Sequence, residues 1–537
     1  MRNTKTCGEA IVALLEQYDV DTVFGIPGVH TLELYRGLVG SRIRHVLPRH
    51  EQGAGFIADG YARASGKPGV CFLITGPGLT NASTAIAQAY SDSVPILVIS
   101  SVNQSNLLGK GRGELHEMPD QQKMMSAFTA FSARADSPDQ FPALLAKAFD
   151  VFNSERPRPV HIEVPIDIFE KPVNEDWVPM AKAEKPQARE QDIEQAAEWL
   201  NGANVPALIL GGGALGSEAL VLDLAERLAA PVAMSVAGAG LLPSSHPLCL
   251  GSTLVAQSVH NVIAKSDVVL VAGTELATTD TWGIPFEFNG KMIRIDIDPK
   301  QFENSYKADL EILGDAPTAL ASIAKAISAT RQETKIVEKA RQVSFAVDAF
   351  YDGLNSDEKL RQKVFNAVVD ALPKDALITA DMTQIGYTGH SVFKTEFAGR
   401  FFNPTGYGTL GYGLPAALGA QLASPQKAVV AFVGDGGLQY TLQEMATAKE
   451  ENLPIVLILW NNDLLLEIHE GFVDHGIEPI AVFPKNPDFQ MMAKAYGWAT
   501  HKTHDLDGLG KLVSSALAKA QTDQTPVMIE ITVNELK

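Results

Sequence analysis

Cysteine is scarce in this chain. Cys7, Cys71 and Cys249 are spread over 537 positions. Their odd number and wide spacing imply neither a disulfide framework nor a zinc cluster. Cys71 falls in the apolar run Val70–Ile74, so packing is its expected role. Positive charge is also short: 44 Lys and Arg face 63 Asp and Glu, a formal net charge of −19. That balance argues against nucleic acid or an anionic membrane as a partner. No apolar run is long enough to span a bilayer. The N-terminus lacks a charged-then-apolar signal pattern, so a cytoplasmic protein is expected. Also missing is a GxGxxG turn with a ribose-binding acid downstream, which argues against a nicotinamide oxidoreductase. The rest is ordinary for a globular protein, 46% hydrophobic and 20% charged, with room for about three domains.

Strand-like apolar runs alternate with helical ones along the chain. Residues 4–18 read as a helix with Ile11, Leu14 and Leu15 on one face. Val20–Ile26, Val70–Ile74 and Ile96–Ser100 read as strands, with His50–Ala64 a helix between the first two. Further strands are expected at Ala207–Leu210, Val268–Ala272 and Met292–Ile297. Such alternation predicts an α/β protein of three doubly wound parallel-sheet domains. Their expected bounds are 1–172, 188–335 and 358–537, joined by linkers near 170–190 and 335–360.

The strongest local signal is Gly434-Asp435-Gly436 followed by Asn461-Asn462. Asp435 and Asn462 stand 27 residues apart. Each closes an apolar run, Ala428–Val433 and Ile455–Trp460, and residues 438–452 read as the helix of a βαβ crossover. Both strand ends then open on the same edge of a parallel sheet, where ligands bind. A carboxylate and an amide oxygen there suit Mg²⁺, which completes its shell with phosphate and water. The glycines let backbone approach a diphosphate, and a helix N-terminus favours its charge.

Two other segments belong with this one. Arg49-His50-Glu51 opens a helix rich in small residues, Gly53, Ala54 and Ala58. Taken alone, Glu51 reads as a helix-start carboxylate favoured by the dipole. Gly406-Tyr407-Gly408-Thr409-Leu410-Gly411 places an apolar side chain in a glycine-rich turn, where Leu410 reads equally as core or as a wedge.

With Gly25-Ile26-Pro27-Gly28, Thr75-Gly76-Pro77-Gly78 and Asp381-Met382-Thr383-Gln384, these segments resemble, over the whole length and in the same order, the thiamine diphosphate-dependent 2-oxo acid decarboxylases and acetolactate synthases. The resemblance implies a pyrimidine-binding domain, a central Rossmann-like domain and a diphosphate-binding domain. It implies that Glu51 of one subunit activates a cofactor held by another, in a homodimer or homotetramer with the active site between subunits. Asp435, Asn462 and the carbonyl of Leu464 would bind Mg²⁺. Gly28, Thr383, Gln384, Gly408, Leu410, Gly434, Gly436 and Gly437 would line the cofactor, with Leu410 bending it. A 2-oxo acid loses CO₂, and the outcome then divides between an aldehyde and an acetohydroxy acid.

Four departures from the synthase pattern bear on the substrate. Leu115-His116-Glu117 puts an imidazole where synthases carry a Phe-Gln-Glu-like run, useful for proton delivery. The other reading of His116 is a surface or dimer-contact histidine. His30, after the first glycine turn, reads first as structural, and its other reading is an imidazole facing the pocket. Glu467 stands where synthases tend to carry an apolar residue, so a cationic substrate tail is expected. The other reading is a solvated loop glutamate. In Gly273-Thr274-Glu275 an acid replaces the arginine of flavin-binding synthases, which argues against FAD. The pattern looks most like decarboxylation of 5-guanidino-2-oxopentanoate to 4-guanidinobutyraldehyde, a step of arginine catabolism. The alternatives are condensation of two pyruvates to acetolactate and, in another class, a non-catalytic nucleotide-binding subunit.

Overall fold

The computed structural model describes residues 5–304 and 306–536. The predicted helix start at residue 4 and the expected outer bounds, 1 and 537, lie outside the described residues. The chain divides into two compact units. One comprises Met1–Ala183, Leu377–Thr383 and Phe402–Lys537, the other Glu184–Ala376 and Gln384–Phe401. Three six-stranded sheets are present, each wound with helices.

The first sheet contains β1 (Thr22–Gly25), β2 (Arg44–Val46), β3 (Gly69–Leu73), β4 (Ile96–Val102), β5 (Phe131–Arg134) and β6 (Val160–Pro165). Their order is β2-β1-β3-β4-β6-β5, every pair parallel. The predicted first helix is α1, Cys7–Gln17, started by a capping box of Thr6 and Glu9. Residues Glu51–Ser65 form α2 and Pro77–Ser91 form α3. Central strands buried on both faces read as continuous apolar runs, which is why the sequence shows them clearly. The segment near 170–190 is largely irregular, although Pro172–Val173 pairs with Lys5–Thr6.

The second unit holds β7 (Pro206–Leu210), β8 (Val232–Met234), β9 (Cys249–Gly251), β10 (Val268–Ala272), β11 (Lys291–Asp296) and β12 (Leu310–Leu313). The order β9-β8-β7-β10-β11-β12 is that of a classic dinucleotide fold. The expected linker over 335–360 is instead helical: α4 (Glu333–Gly353) is followed by α5 (Ser356–Val369). Ile336, Val343 and Ala346 bury one face of α4. Its many charges form the solvated faces of a helix rather than marking a linker. Helix α6 (Gln384–Val392) also lies in this unit.

The third sheet contains β13 (Leu377–Ala380), β14 (Phe401–Phe402), β15 (Val429–Gly434), β16 (Val456–Asn461), β17 (Ala499–Thr503) and β18 (Val527–Thr532), in the order β14-β13-β15-β16-β18-β17. The helix expected over 438–452 is two, α8 (Asp435–Thr441) and α9 (Glu444–Glu450), after α7 (Gly413–Ala423). Helices α2 and α7 cross at backbone contact. A Cβ on Gly60 would lie 2.0 Å from the Ala416 carbonyl oxygen, and one on Gly419 would lie 1.9 Å from that of Ile57. Apolar residues of both sheets and helices, such as Ala54, Ile57, Leu414 and Leu418, share one core.

Candidate active site

The GDG–NN unit folds as its spacing predicts. Strands β15 and β16 are parallel, with Gly434 beside Trp460. Asp435 therefore emerges next to the turn that carries Asn462. Burial pushes the Asp435 carboxyl up, opposed by a hydrogen bond from Asn486. Its Oδ2 accepts from Asn486 Nδ2 at 2.6 Å and from the Asp463 amide at 2.9 Å, while Oδ1 accepts from the Gly436 amide at 3.0 Å.

Asn462 is the informative neighbour. Its side-chain amide lies 2.9 Å from the Leu464 carbonyl oxygen and 3.3 Å from Asp435 Oδ1, hydrogen-bonding distances when its nitrogen faces them. One carboxylate, one amide and one carbonyl thus meet at one point, and oxygen donors of these kinds suit a hard divalent cation. Among the described residues no group of three His, Cys, Asp or Glu is placed to hold a metal. A site built from one carboxylate, one amide and one carbonyl needs none.

The turns around this point pack without room for side chains. A Cβ on Gly434 would meet Thr383 Oγ1 at 2.8 Å, and one on Gly437 would meet Asp381 Oδ2 at 2.3 Å. Thr383 follows β13, so it sits where the strand order reverses, between β13 and β15, the usual ligand crevice of such sheets. A Cβ on Gly436 would meet Leu465 Cδ2 at 3.0 Å. Gln384 opens α6 and is buried, in the second unit.

Asp381 organises the Leu410 turn. It is fully buried, its carboxyl pushed up to about 6 by burial, and it accepts from the backbone amides of Gly411, Tyr412 and Met382. Gly408 stands at φ +75°, where a Cβ would meet Met382 Cε at 3.8 Å, and Leu410 is half-buried. The Gly406 amide donates to Asp92 Oδ1 at 2.8 Å. Asp92 also pairs with Arg63, Arg63 with Asp59, and Asp59 accepts from the Tyr412 hydroxyl at 2.7 Å. A buried charge network thus ties α2 to the Leu410 turn.

The first sheet gathers a different set at its own reversal point, between β1 and β3. A Cβ on Gly28 would overlap Ile74 Cδ1 at 2.3 Å. Glu51, half-buried in the single chain, accepts from Asn81 Nδ2 at 2.9 Å and lies along Gly78. His116, at φ +63°, holds Nδ1 3.1 Å from the Thr75 carbonyl oxygen. Its ring meets the His30 ring edge-on, centroids 5.4 Å apart. His30, read from sequence as structural, has its buried Nδ1 without a hydrogen-bond partner, and burial beside His116 holds its pKa below the ordinary imidazole value. Thr75, Gly76 and the start of α3 therefore bring Glu51, His30 and His116 to one edge.

Glu467 stands in the first turn of α10 (Leu466–Asp474), a helix that buries none of its residues. It is exposed in the single chain rather than enclosed by apolar side chains. In the central sheet, Gly211 and Gly213 pack directly on Gly273, and Arg294 donates to the carbonyls of Thr274 and Glu275. The glycines there serve loop-to-loop packing. Asn81, Glu444 and Asn486 were not anticipated from sequence, nor was the part that Asp381 plays within its quoted segment; each acts through a contact distant in the chain. The Asn in the Pro-flanked run Pro484-Lys485-Asn486-Pro487 was the one local signal among them.

Three family models match the chain: the thiamine pyrophosphate enzyme N-terminal TPP-binding domain over residues 5–124, the central domain over 193–323 and the C-terminal TPP-binding domain over 381–531. A protein of Pseudomonas aeruginosa named probable 2-ketoarginine decarboxylase AruI is 50% identical over 513 residues, covering 95% of this chain and 91% of that one. The chain belongs to the thiamine pyrophosphate enzymes. Acetolactate synthase isozyme 1 large subunit of Escherichia coli is 33% identical, covering 93% of this chain and 89% of its own length. A probable acetolactate synthase large subunit of Methanocaldococcus jannaschii is 30% identical over 98% and 91%. Membership explains why the two outer sheets carry unlike residues on like frameworks: this family uses an N-terminal and a C-terminal TPP-binding domain. Among the described residues no helix is long and apolar enough to cross a membrane.

Proposed function

We propose that this thiamine pyrophosphate enzyme catalyses Mg²⁺-dependent, non-oxidative decarboxylation of 5-guanidino-2-oxopentanoate, the 2-oxo acid of arginine, to 4-guanidinobutyraldehyde and CO₂. The observation that carries the reading is the half-identity, over nearly the whole chain, with the P. aeruginosa protein. 2-Ketoarginine is another name for the same compound. The domains are taken as 1–172, 188–335 and 358–537. The cofactor, when bound, supplies a carbon nucleophile and a sink for the electrons left by CO₂.

The chain's own residues have distinct tasks in this reading. Asp435, Asn462 and the Leu464 carbonyl would hold Mg²⁺, and Gly434, Gly436, Gly437, Thr383 and Gln384 would border the diphosphate. Gly28 would line the cofactor. Leu410 would press against it as a wedge, and the Gly408 carbonyl would accept a hydrogen bond from it. Glu51 holds the proton at N1′ of the aminopyrimidine. It is half-exposed in the single chain, so a second copy would complete its shelter from water, consistent with a homodimer or homotetramer. His116 delivers a proton to the product carbon. Glu467 reads the guanidinium by a charge-assisted pair.

A panel of 2-oxo acids with the cofactor and Mg²⁺, scored for CO₂, aldehyde and acetohydroxy acid, tests this. The guanidino acid should be turned over fastest and give aldehyde. Faster turnover of pyruvate, with acetolactate as product, would replace the reading by the synthase one, which the relatives at 30–33% identity support.

A further inference from the structure

Helix α2 begins with Glu51, and the two residues before it are held by one side chain from a distant segment. Glu444, at the start of α9, is fully buried. Its Oε1 accepts from the backbone amides of Arg49 and His50, both at 3.0 Å. Its Oε2 lies 3.2 Å from the Arg49 amide and accepts from the Thr447 hydroxyl at 2.7 Å. Backbone amides just outside a helix have no partner within it, and a carboxylate beside a helix N-terminus also meets the favourable end of its dipole. The approach is close: a Cβ on Gly53, in the first turn of α2, would fall 2.3 Å from Glu444 Oε1. His50 Nδ1 takes the Gln52 amide, so the turn around Glu51 is fixed from both sides.

We infer that Glu444 is a positioning residue for Glu51, a strut that sets where the Glu51 carboxylate points and through it how fast the cofactor is activated. This rests on the reading of Glu51 given above. Glu444 follows Asp435 on the same stretch of chain, so a single segment carries both the metal ligand and the strut. In the proposed dimer, where one chain's Glu51 serves a cofactor held by the other, each strut would tie one site to its neighbour. The positional tolerance is small, because displacing a reacting group by about 1 Å costs up to about 100-fold.

The test uses the Mg²⁺- and cofactor-loaded enzyme and measures exchange of the cofactor C2 proton with deuterium, beside cofactor affinity by calorimetry. Glu444→Ala should slow that exchange at least about tenfold with little change in affinity. Glu444→Gln keeps an acceptor oxygen for the two amides and should restore most of the rate. Gly53→Ala pushes the carboxylate away while improving helix propensity, and should slow exchange as well; it carries the test if Glu444→Ala does not fold. In the cofactor-free protein, backbone amides of the 47–56 segment should exchange faster in Glu444→Ala than in Glu444→Gln. An undiminished C2 exchange rate in a folded Glu444→Ala or Gly53→Ala enzyme would overturn the strut, and so would failure of Glu444→Gln to restore it. Glu51→Gln is run alongside. Exchange surviving there overturns the reading of Glu51 itself, whereas exchange lost there and intact in Glu444→Ala overturns only the strut.

Discussion

The first and third sheets share one strand order, 2-1-3-4-6-5 when each is counted from its own first strand, yet they gather different chemistry where that order reverses. Beyond β1 and β3 lie Gly28, Thr75, His30, His116 and, at the start of α2, Glu51. Beyond β13 and β15 lie Asp381, Thr383 and Asp435. The likeness reaches single residues. Strand β6 reads Val160-His161-Ile162-Glu163 and β18 reads Val527-Met528-Ile529-Glu530. Each glutamate faces a cation on the neighbouring strand, Glu163 with Arg134 at 3.5 Å and Glu530 with Lys502 at 3.6 Å. The backbone supplies a crevice at a fixed place, and loop residues decide what it does. Neither set suffices for the proposed reaction: one offers an acid and imidazoles, the other a carboxylate, an amide and a carbonyl that the proposal assigns to Mg²⁺.

If the division is real, damage to the first sheet's set should spare cofactor retention and damage to the third's should not. The largest effect is expected from Glu51→Ala, with kcat/KM lowered about 1,000-fold and cofactor affinity by calorimetry nearly unchanged. Undiminished turnover would end the proposed mechanism. Asp435→Asn should act the other way, weakening cofactor binding in Mg²⁺ by about 100-fold, with activity partly regained at high cofactor and metal. A chelator should reproduce that loss in the unsubstituted enzyme and in Glu51→Ala alike. His116→Asn is expected to lower kcat about 100-fold and to remove one limb of the pH–rate profile. An unchanged profile would return His116 to a contact role.

Glu467 sharpens the comparison from the exposed helix α10. Glu467→Gln should reduce the preference for guanidino over neutral 2-oxo acids by about 10- to 100-fold, the worth of one charge-assisted hydrogen bond. Steady-state kinetics on both substrate types reads this directly. Preserved discrimination would mean that another residue reads the guanidinium.

Legibility in the sequence followed the range of the interactions. The GDG–NN pair was readable because a strand, a turn and a second strand are local, and their spacing brings Asp435 near Asn462. Central strands were readable for the same reason. The stretch 335–360 reads from sequence as a linker because charge hides a narrow apolar face, here Ile336, Val343 and Ala346. Glu444 had no local signature, and Asp381 and Asn486 stood in readable segments whose partners were hidden: the hydrogen bonds of all three join segments that only the tertiary fold brings together. The His30–His116 contact was hidden likewise, since an imidazole after a glycine turn does not say what it faces.

The smallest expected effect concerns the paired glutamates, and it separates the two sheets by stability alone. Glu530 has both oxygens engaged, by Asn461 Nδ2 and Gln490 Nε2, each at 2.9 Å. Glu163 Oε2 is buried without a partner, and burial pushes its carboxyl up to about 7, against the pull of Gln121 and Arg134. Unfolded, a glutamate loses its proton near 4.5. Between about pH 4.5 and 7 the folded chain therefore holds a proton that the unfolded chain has lost, and stability from this group falls as pH rises through that window. The slope is complete above about 7, where the cost reaches at most a few kcal/mol. Glu163→Gln cannot ionise, so its unfolding midpoint should match the unsubstituted protein near pH 4.5 and exceed it at pH 8. The lost attraction to the partly exposed Arg134 offsets at most about 1 kcal/mol of that gain. Glu530→Gln should instead destabilise at pH 8 by about 1–2 kcal/mol, because one of its donors loses its acceptor. Thermal unfolding of the two variants at both pH values decides the matter: equal responses would mean that the two strands hold their glutamates alike, and the asymmetry drawn between the sheets would not extend into their cores.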